Sequence, residues 1–327
     1  MSKTKILFIV ANDSKVLFPE LYGNTMQESN DYLTDAIFEY LKNINEFEIY
    51  ECPWMAHMYA NSSVKKEQLT GYGFAIRKTI KSSPKILTVD DALHRINNKE
   101  FDYIISDSRS WSPWWKSRGL SPFQPECVKL LDKAMEVYPR NNIIFFDGED
   151  QTNVHECLVG KVTYFKRELT FDHPLINPIG YCFPENKFRW CSPEAKTKLV
   201  ATVIPGDKTT YNFTEEDAYY NDYCFSLYGF TWKKLGWDCF RHHELLFSSC
   251  IPIFPDIDEC PRQTLTRFPK EICQEILKTG ILTNAKKVQK FSDLYDFIDL
   301  NLHSTNISKI HYADLQSRLK DHALKYL

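Results

Sequence analysis

Arg241 and Glu244 stand three residues apart and Ser248 follows four later, which lines all three along one stripe of a short helix. The opposite sector carries Cys239, Phe240, Leu246 and Phe247, with His243 in its middle and His242 at its edge. A guanidinium gives phosphate a bidentate contact, and a carboxylate is the natural acceptor for the paired hydroxyls of a ribose. The residues before the helix form a loop bracketed by Gly229 and Gly236, with Asp238 placed as N-cap. Such a loop turns free N–H groups and the positive end of the helix dipole toward an anion. Cys250-Ile-Pro-Ile-Phe254 then reads as a short interior strand. Together these groups suit a nucleoside diphosphate. The same spacing also describes an Arg–Glu surface pair on an ordinary strand–helix unit, and spacing alone leaves both readings open.

The pattern Arg241-x-x-Glu244, followed by Cys250-Ile-Pro252, resembles the donor-site motif of exostosin-like glycosyltransferases (family 47) across residues 228–261, with looser similarity on either side. The family carries Gly immediately before the Cys; this chain has Ser249. Gly at such a point serves a left-handed backbone or a close approach, so Ser249 is expected to strain the turn or reshape the pocket. The resemblance implies a GT-B fold, with two Rossmann-like domains whose parallel sheets face a cleft. Residues 1–185 would form the acceptor side and 186–327 the nucleotide-sugar side, with a last helix able to cross back to the first domain. It implies an enzyme, a hexosyl- or pentosyltransferase. The sugar would move from a UDP- or GDP-sugar to a hydroxyl of a glycan or glycoprotein, with inversion and without a metal or other cofactor.

That chemistry needs positive charge on the leaving diphosphate, a pocket for the nucleoside, and a base for the acceptor hydroxyl. Arg241 and the start of its helix are the first candidates for the leaving group, with Lys233, Lys234 and Arg167 beside them. Glu244 is the candidate for ribose, and His242 is placed to touch the donor. His243 reads as a packed core histidine. For the base, carboxylates at strand ends are preferred: Asp147, Glu149 and Asp150, then Asp13 and Asp107. Crowded like charges raise a carboxyl pKa toward a useful range; the plain alternative for each is a cap or salt-bridge partner. His155 is a further candidate base. Asp256-Ile257-Asp258 has the look of a metal-binding DxD, but follows a strand as a turn cap would, so no metal is expected there. Trp111, Trp114 and Trp115 form either a sugar-stacking platform or a local apolar patch.

The elements that must position these groups alternate strand and helix. Residues 5–11, 46–50, 101–106, 142–146 and 161–165 read as strands, and 31–41, 90–97 and 125–137 as helices, which predicts a parallel sheet. Residues 173–193 suit a connection between domains. Residues 198–204 open a second sheet, and the Tyr-rich 214–223 is a helix. Gly71 and Gly73 read as a turn rather than a phosphate loop. Residues 268–279, 291–302 and 313–326 read as helices, with a strand at 281–282.

The chain has 327 residues, a net charge of −3 and 14% aromatic residues. That near-balance argues against a binder of nucleic acid. The ten cysteines show no CxxC or zinc spacing and read as reduced core residues. No signal peptide or membrane span is read, so a soluble cytoplasmic protein without stable membrane insertion is expected, in which the sequons at Asn61, Asn212 and Asn306 carry no meaning. Two other readings share the donor site: a non-catalytic sugar-nucleotide-binding partner and a nucleotide-sugar epimerase.

Overall fold

The computed structural model describes residues 3–10, 31–65, 74, 76–108, 124–278 and 309–325. The expectations for Asp13, the three tryptophans, Gly71, Gly73, Asn306, 281–282 and 291–302 lie outside them. The chain divides into two compact units, Met1–Gly180 and Tyr181–Leu327, five residues before the expected division.

The first unit runs β1 (Thr4–Ile9), α1 (Tyr32–Asn43), β2 (Phe47–Cys52), α2 (Val89–Asn97), β3 (Tyr103–Asp107), α3 (Gln124–Val137), β4 (Ile143–Asp147), β5 (Thr163–Lys166) and β6 (Ile176–Pro178). All six strands pair in parallel, in the order β2-β1-β3-β4-β5-β6. Ile6 to Ile9 are all buried, as strands covered on both faces must be. Leu7, Ile104, Phe145 and Tyr164 of the sheet pack with Ile96 of α2 and Leu130, Leu131 and Ala134 of α3. The Asp31 carboxylate caps α1 by accepting the Leu33 and Thr34 N–H groups at 3.0 Å each. Thr88 caps α2, while Asp90 and Asp91 sit in its first turn beside the positive dipole end. β6 lies in the stretch read as a connection; a three-residue strand ending in Pro suits a sheet edge.

The second unit continues with β7 (Lys198–Val200), α4 (Glu216–Cys224), β8 (Ser226–Phe230), α5 (Phe240–Phe247), β9 (Ile251–Ile253), α6 (Lys270–Lys278) and α7 (Lys309–Leu324). Its three strands are parallel in the order β7-β8-β9. The last helix packs on this unit: Tyr312 donates to the Leu227 carbonyl at 3.3 Å and Gln316 to the Cys191 carbonyl at 3.0 Å.

α5 sits unusually close to β8. Gly229 lies inside β8, not in the following loop, and a Cβ there would stand 2.3 Å from Leu245 Cδ2. α5 ends in a Schellman turn: Cys250 N–H donates to Leu245 O at 3.0 Å and Ser249 N–H to Leu246 O at 3.3 Å. Ser249 takes the left-handed conformation this requires, with φ 56°. Its hydroxyl oxygen accepts from the Cys191 N–H at 3.2 Å and from Lys196 Nζ at 2.8 Å. The side chain thus gives back in hydrogen bonds what the backbone loses in strain.

Cys191 and Cys224 form a disulfide, with Cα atoms 5.8 Å apart, tying the segment before β7 to the end of α4. This corrects the reading of all ten cysteines as reduced. The pair is 33 residues apart in sequence, so no local spacing marks it. Disulfides persist in oxidising surroundings, which is at odds with an expected reducing cytosol. Among the described residues no helix is long and apolar enough to cross a membrane.

Two stability predictions follow from the α5 contacts. Leu245 is fully buried, and an added Cβ would meet its Cδ2 at 2.3 Å and Cys250 Sγ at 3.1 Å, so Gly229→Ala should cost about 1–3 kcal/mol in urea denaturation; a neutral effect would contradict the close approach. Ser249→Ala loses both hydroxyl contacts and keeps the backbone strain. Ser249→Gly loses the contacts but sheds the strain, so it should be the more stable of the two by about 1 kcal/mol.

Candidate functional site

α5 is wrapped almost completely. Phe240 and every residue from His242 to Phe247 are buried, so no solvent-facing polar stripe exists. Leu245 and Leu246 enter the core, and Phe247 stacks on Phe183 with ring centroids 4.7 Å apart. Glu244 is buried too: its Oε2 accepts from Tyr219 at 2.7 Å and its Oε1 from Tyr220 at 3.1 Å. Tyr219 and Tyr223 share a further hydroxyl contact at 3.1 Å. Burial raises the Glu244 pKa, against the opposing pull of Tyr219, Arg241 and Tyr220. Burial and the Glu244 charge push both phenols well up, so they remain donors. Ser248, the third member of the expected stripe, is buried with its hydroxyl unpartnered.

Arg241 forms no ion pair with Glu244, which removes the surface-pair reading. Its guanidinium lies over the Tyr211 ring, 5.3 Å from the centroid, with a long Nη1 contact of 3.4 Å to the Tyr211 hydroxyl. Its Nε is buried and has no hydrogen-bond partner. Burial opposes its charge, but the oxygens of Tyr223, Tyr219 and Tyr211 outweigh burial and raise its pKa well above the usual value. Tyr211 reports the local field. Burial raises its pKa, yet the Arg241 charge, the Gly206 N–H and Lys234 together bring it below the ordinary phenol value. Gly206 N–H meets the Tyr211 hydroxyl at 2.7 Å. The loops carrying Tyr211 and Lys234 leave the carboxyl ends of the adjacent strands β7 and β8, where open α/β sheets hold ligands.

Other expected donor contacts fall elsewhere. His242 is fully buried; its Nε2–H donates to the Trp237 carbonyl at 2.8 Å and its Nδ1 pairs with the Thr231 hydroxyl. Burial depresses its pKa to about 3, so it is a neutral core residue with both ring nitrogens engaged. His243 packs as expected, with Nε2 2.9 Å from Asp238 Oδ1. Asp238 is therefore not the N-cap of α5; Cys239 is, without a side-chain bond. Lys233 lies over the Trp237 ring, 5.2 Å from its centroid, and its N–H reaches Asp256. Asp258 accepts from Gln274 at 2.9 Å, so Asp256 and Asp258 serve separate turns.

In the first unit the strand ends bring Asp147, Glu149, Asp150, His155, Lys166 and Arg167 together. Asp147 is fully buried and accepts from Lys166 at 2.9 Å, Tyr164 at 2.8 Å and the Glu149 N–H at 3.1 Å. Arg167 donates to the Gly148 carbonyl at 3.0 Å and pairs with Asp150 and with Glu168. Its charge is met by these two carboxylates, of which Asp150 was an expected base. Asp107 is buried and accepts from Thr34 at 3.1 Å. Glu149 is half-buried.

Sequence reasoning missed Tyr211, Tyr219, Tyr220, Tyr223 and Lys166 as members of these clusters. The doublet Tyr219-Tyr220 with Tyr223 at i+4 was the one signal available, since that spacing gathers hydroxyls on one helical face. Comparison of the chain with family models, curated proteins and solved structures finds no match.

Glu244 makes a pH-dependent prediction. The native carboxyl binds its proton more tightly than the unfolded chain does. Its contribution to stability is full below the unfolded value of about 4.3 and is lost as pH rises through the raised native value. Glu244→Gln should therefore gain on wild type between pH 4 and pH 7 in urea denaturation. An equal difference at both pH values would contradict the raised pKa.

Proposed function

We propose that the second unit binds the diphosphate of a nucleotide sugar at Arg241, and that the chain transfers the sugar to a hydroxyl acceptor. The observation that carries this reading is the Arg241 guanidinium. It is a charged group with a buried Nε that has no hydrogen-bond partner and, among the described residues, no carboxylate within ion-pair distance, set at the start of a helix at a sheet's carboxyl end. Leaving a buried donor unmade costs about 1–3 kcal/mol, more when charged; a phosphate oxygen would satisfy it. Lys234 adds positive field, as the lowered Tyr211 pKa reports. Exostosin-like ancestry, a GT-B arrangement and inversion belong to the same proposal, supported by the motif offsets and the two parallel-sheet units.

Glu244 takes a revised role. Its carboxylate is held by two tyrosines of α4, which supports positioning α5, and with it Arg241, rather than receiving a ribose. Among the expected bases in the described residues, Asp147, Asp150 and Asp107 accept from internal partners, and Glu149 lies half-buried beside Asp147. That commitment favours one second reading, a sugar-nucleotide binder without transferase activity.

Thermal-shift measurement against UDP, GDP and their sugar conjugates, with EDTA present, tests the site. A ligand at 100 times its Kd should add about 2.7 kcal/mol of stability, and at the same concentration Arg241→Ala should cut that to about 1.4 kcal/mol or less. No shift with any nucleotide would overturn the reading. A shift without transfer or slow hydrolysis of the conjugate would select the non-catalytic binder.

A further inference from the structure

The Asp147 carboxylate has two differently occupied oxygens. Oδ1 takes Lys166 Nζ and the Glu149 N–H; Oδ2 takes the Tyr164 hydroxyl and faces His155 Nε2 at 4.0 Å. That separation is too long for a hydrogen bond. The His155 side chain is only 9% exposed, and its Nε2 is buried without a hydrogen-bond partner. A buried imidazole nitrogen aimed at a carboxylate it does not reach leaves room for something between them. Glu149 brings a second carboxylate to the same point. One oxygen from each acid and the imidazole nitrogen lie within 4.8 Å of one another, a grouping found once among the described residues.

We propose that Asp147, Glu149 and His155 bind a first-row divalent cation at the carboxyl end of β4. With metal–ligand bonds of about 2.0–2.2 Å, ligand atoms stand roughly 3–4.2 Å apart, so side-chain rotations of this size must draw the group together on binding. An imidazole beside two carboxylates suits the manganese-to-zinc series better than calcium or magnesium. Three protein ligands leave positions for water or a substrate oxygen, as in catalytic rather than structural sites. Lys166 holds the far oxygen of Asp147 and does not block the near one. With two carboxylates and one ammonium, the local charge is negative before the ion arrives. Tyr164 braces both residues: its hydroxyl donates to Asp147 Oδ2, orienting that carboxylate as an outer-shell partner does, and accepts the His155 backbone N–H at 3.1 Å, which holds the chain that carries the imidazole. The site departs from the metal-free expectation. It stands within the first unit and does not depend on nucleotide binding by the second.

Titration of the full chain with Co2+, read by visible absorption, and with Zn2+ by calorimetry tests this. Wild type should bind one equivalent with a cobalt ligand-field band. His155→Leu and Glu149→Gln should each weaken binding at least tenfold, and Glu156→Gln, an exposed neighbouring carboxylate, should leave it unchanged. Circular dichroism of each variant separates loss of the site from loss of the fold; if His155→Leu does not fold, the half-buried Glu149→Gln decides. No binding by wild type at millimolar metal, or equal affinity in Glu149→Gln, would overturn the proposal.

Discussion

The close seating of α5 against β8 governs the second unit. Gly229 allows it by having no side chain where Leu245 lies. The Schellman turn at Ser249 ends the helix in time for β9 to pair beside β8, and Glu244 ties it to the tyrosines of α4. A helix wrapped this tightly must satisfy every polar group internally. His242, His243 and Glu244 do so. Arg241, at the second position of the helix, does not: its Nε is buried without a hydrogen-bond partner. The burial that neutralises His242 is what makes the unpartnered guanidinium conspicuous.

The first unit handles buried charge differently. Asp147 and Lys166 face each other across β4 and β5 in register, both fully buried. Such a pair costs desolvation that only good geometry and further hydrogen bonds offset, and Tyr164 with the Glu149 N–H supply them. Arg167 beside them closes its own network with Asp150 and Glu168. Within this cluster His155 Nε2 is buried without a hydrogen-bond partner, and it carries the cation proposal.

The parallel α/β character was legible because strands buried on both faces are written as unbroken apolar runs, as in Ile6–Ile9 and Ile143–Phe146. The α1 cap at Asp31 falls at the boundary residue that the pattern marks, since capping is local chemistry. Partners distant in sequence were not legible. Asp238 has the composition of a cap but serves His243; His242 has the spacing of a donor contact but serves Thr231 and Trp237. The Cys191–Cys224 bond and the Glu244–tyrosine contacts arise from packing of α4 against neighbours, which no local spacing encodes. The Arg241–Glu244 spacing was visible, but only the packing shows that the two part company, one held by the tyrosines of α4 and the other lying over Tyr211. The Ser249 departure was visible as well, and its compensation through Lys196 and the Cys191 N–H was not.

The most direct measurement is calorimetric titration of wild type and Arg241→Gln with UDP and GDP, with the matching nucleosides as controls, at two salt concentrations. Charge-assisted hydrogen bonds contribute about 1.5–3 kcal/mol each. The account therefore predicts that one diphosphate binds wild type, that added salt weakens it, and that Arg241→Gln loses roughly 10- to 100-fold in affinity. Equal affinity of the two proteins, or nucleoside binding as tight as the diphosphate, would contradict it.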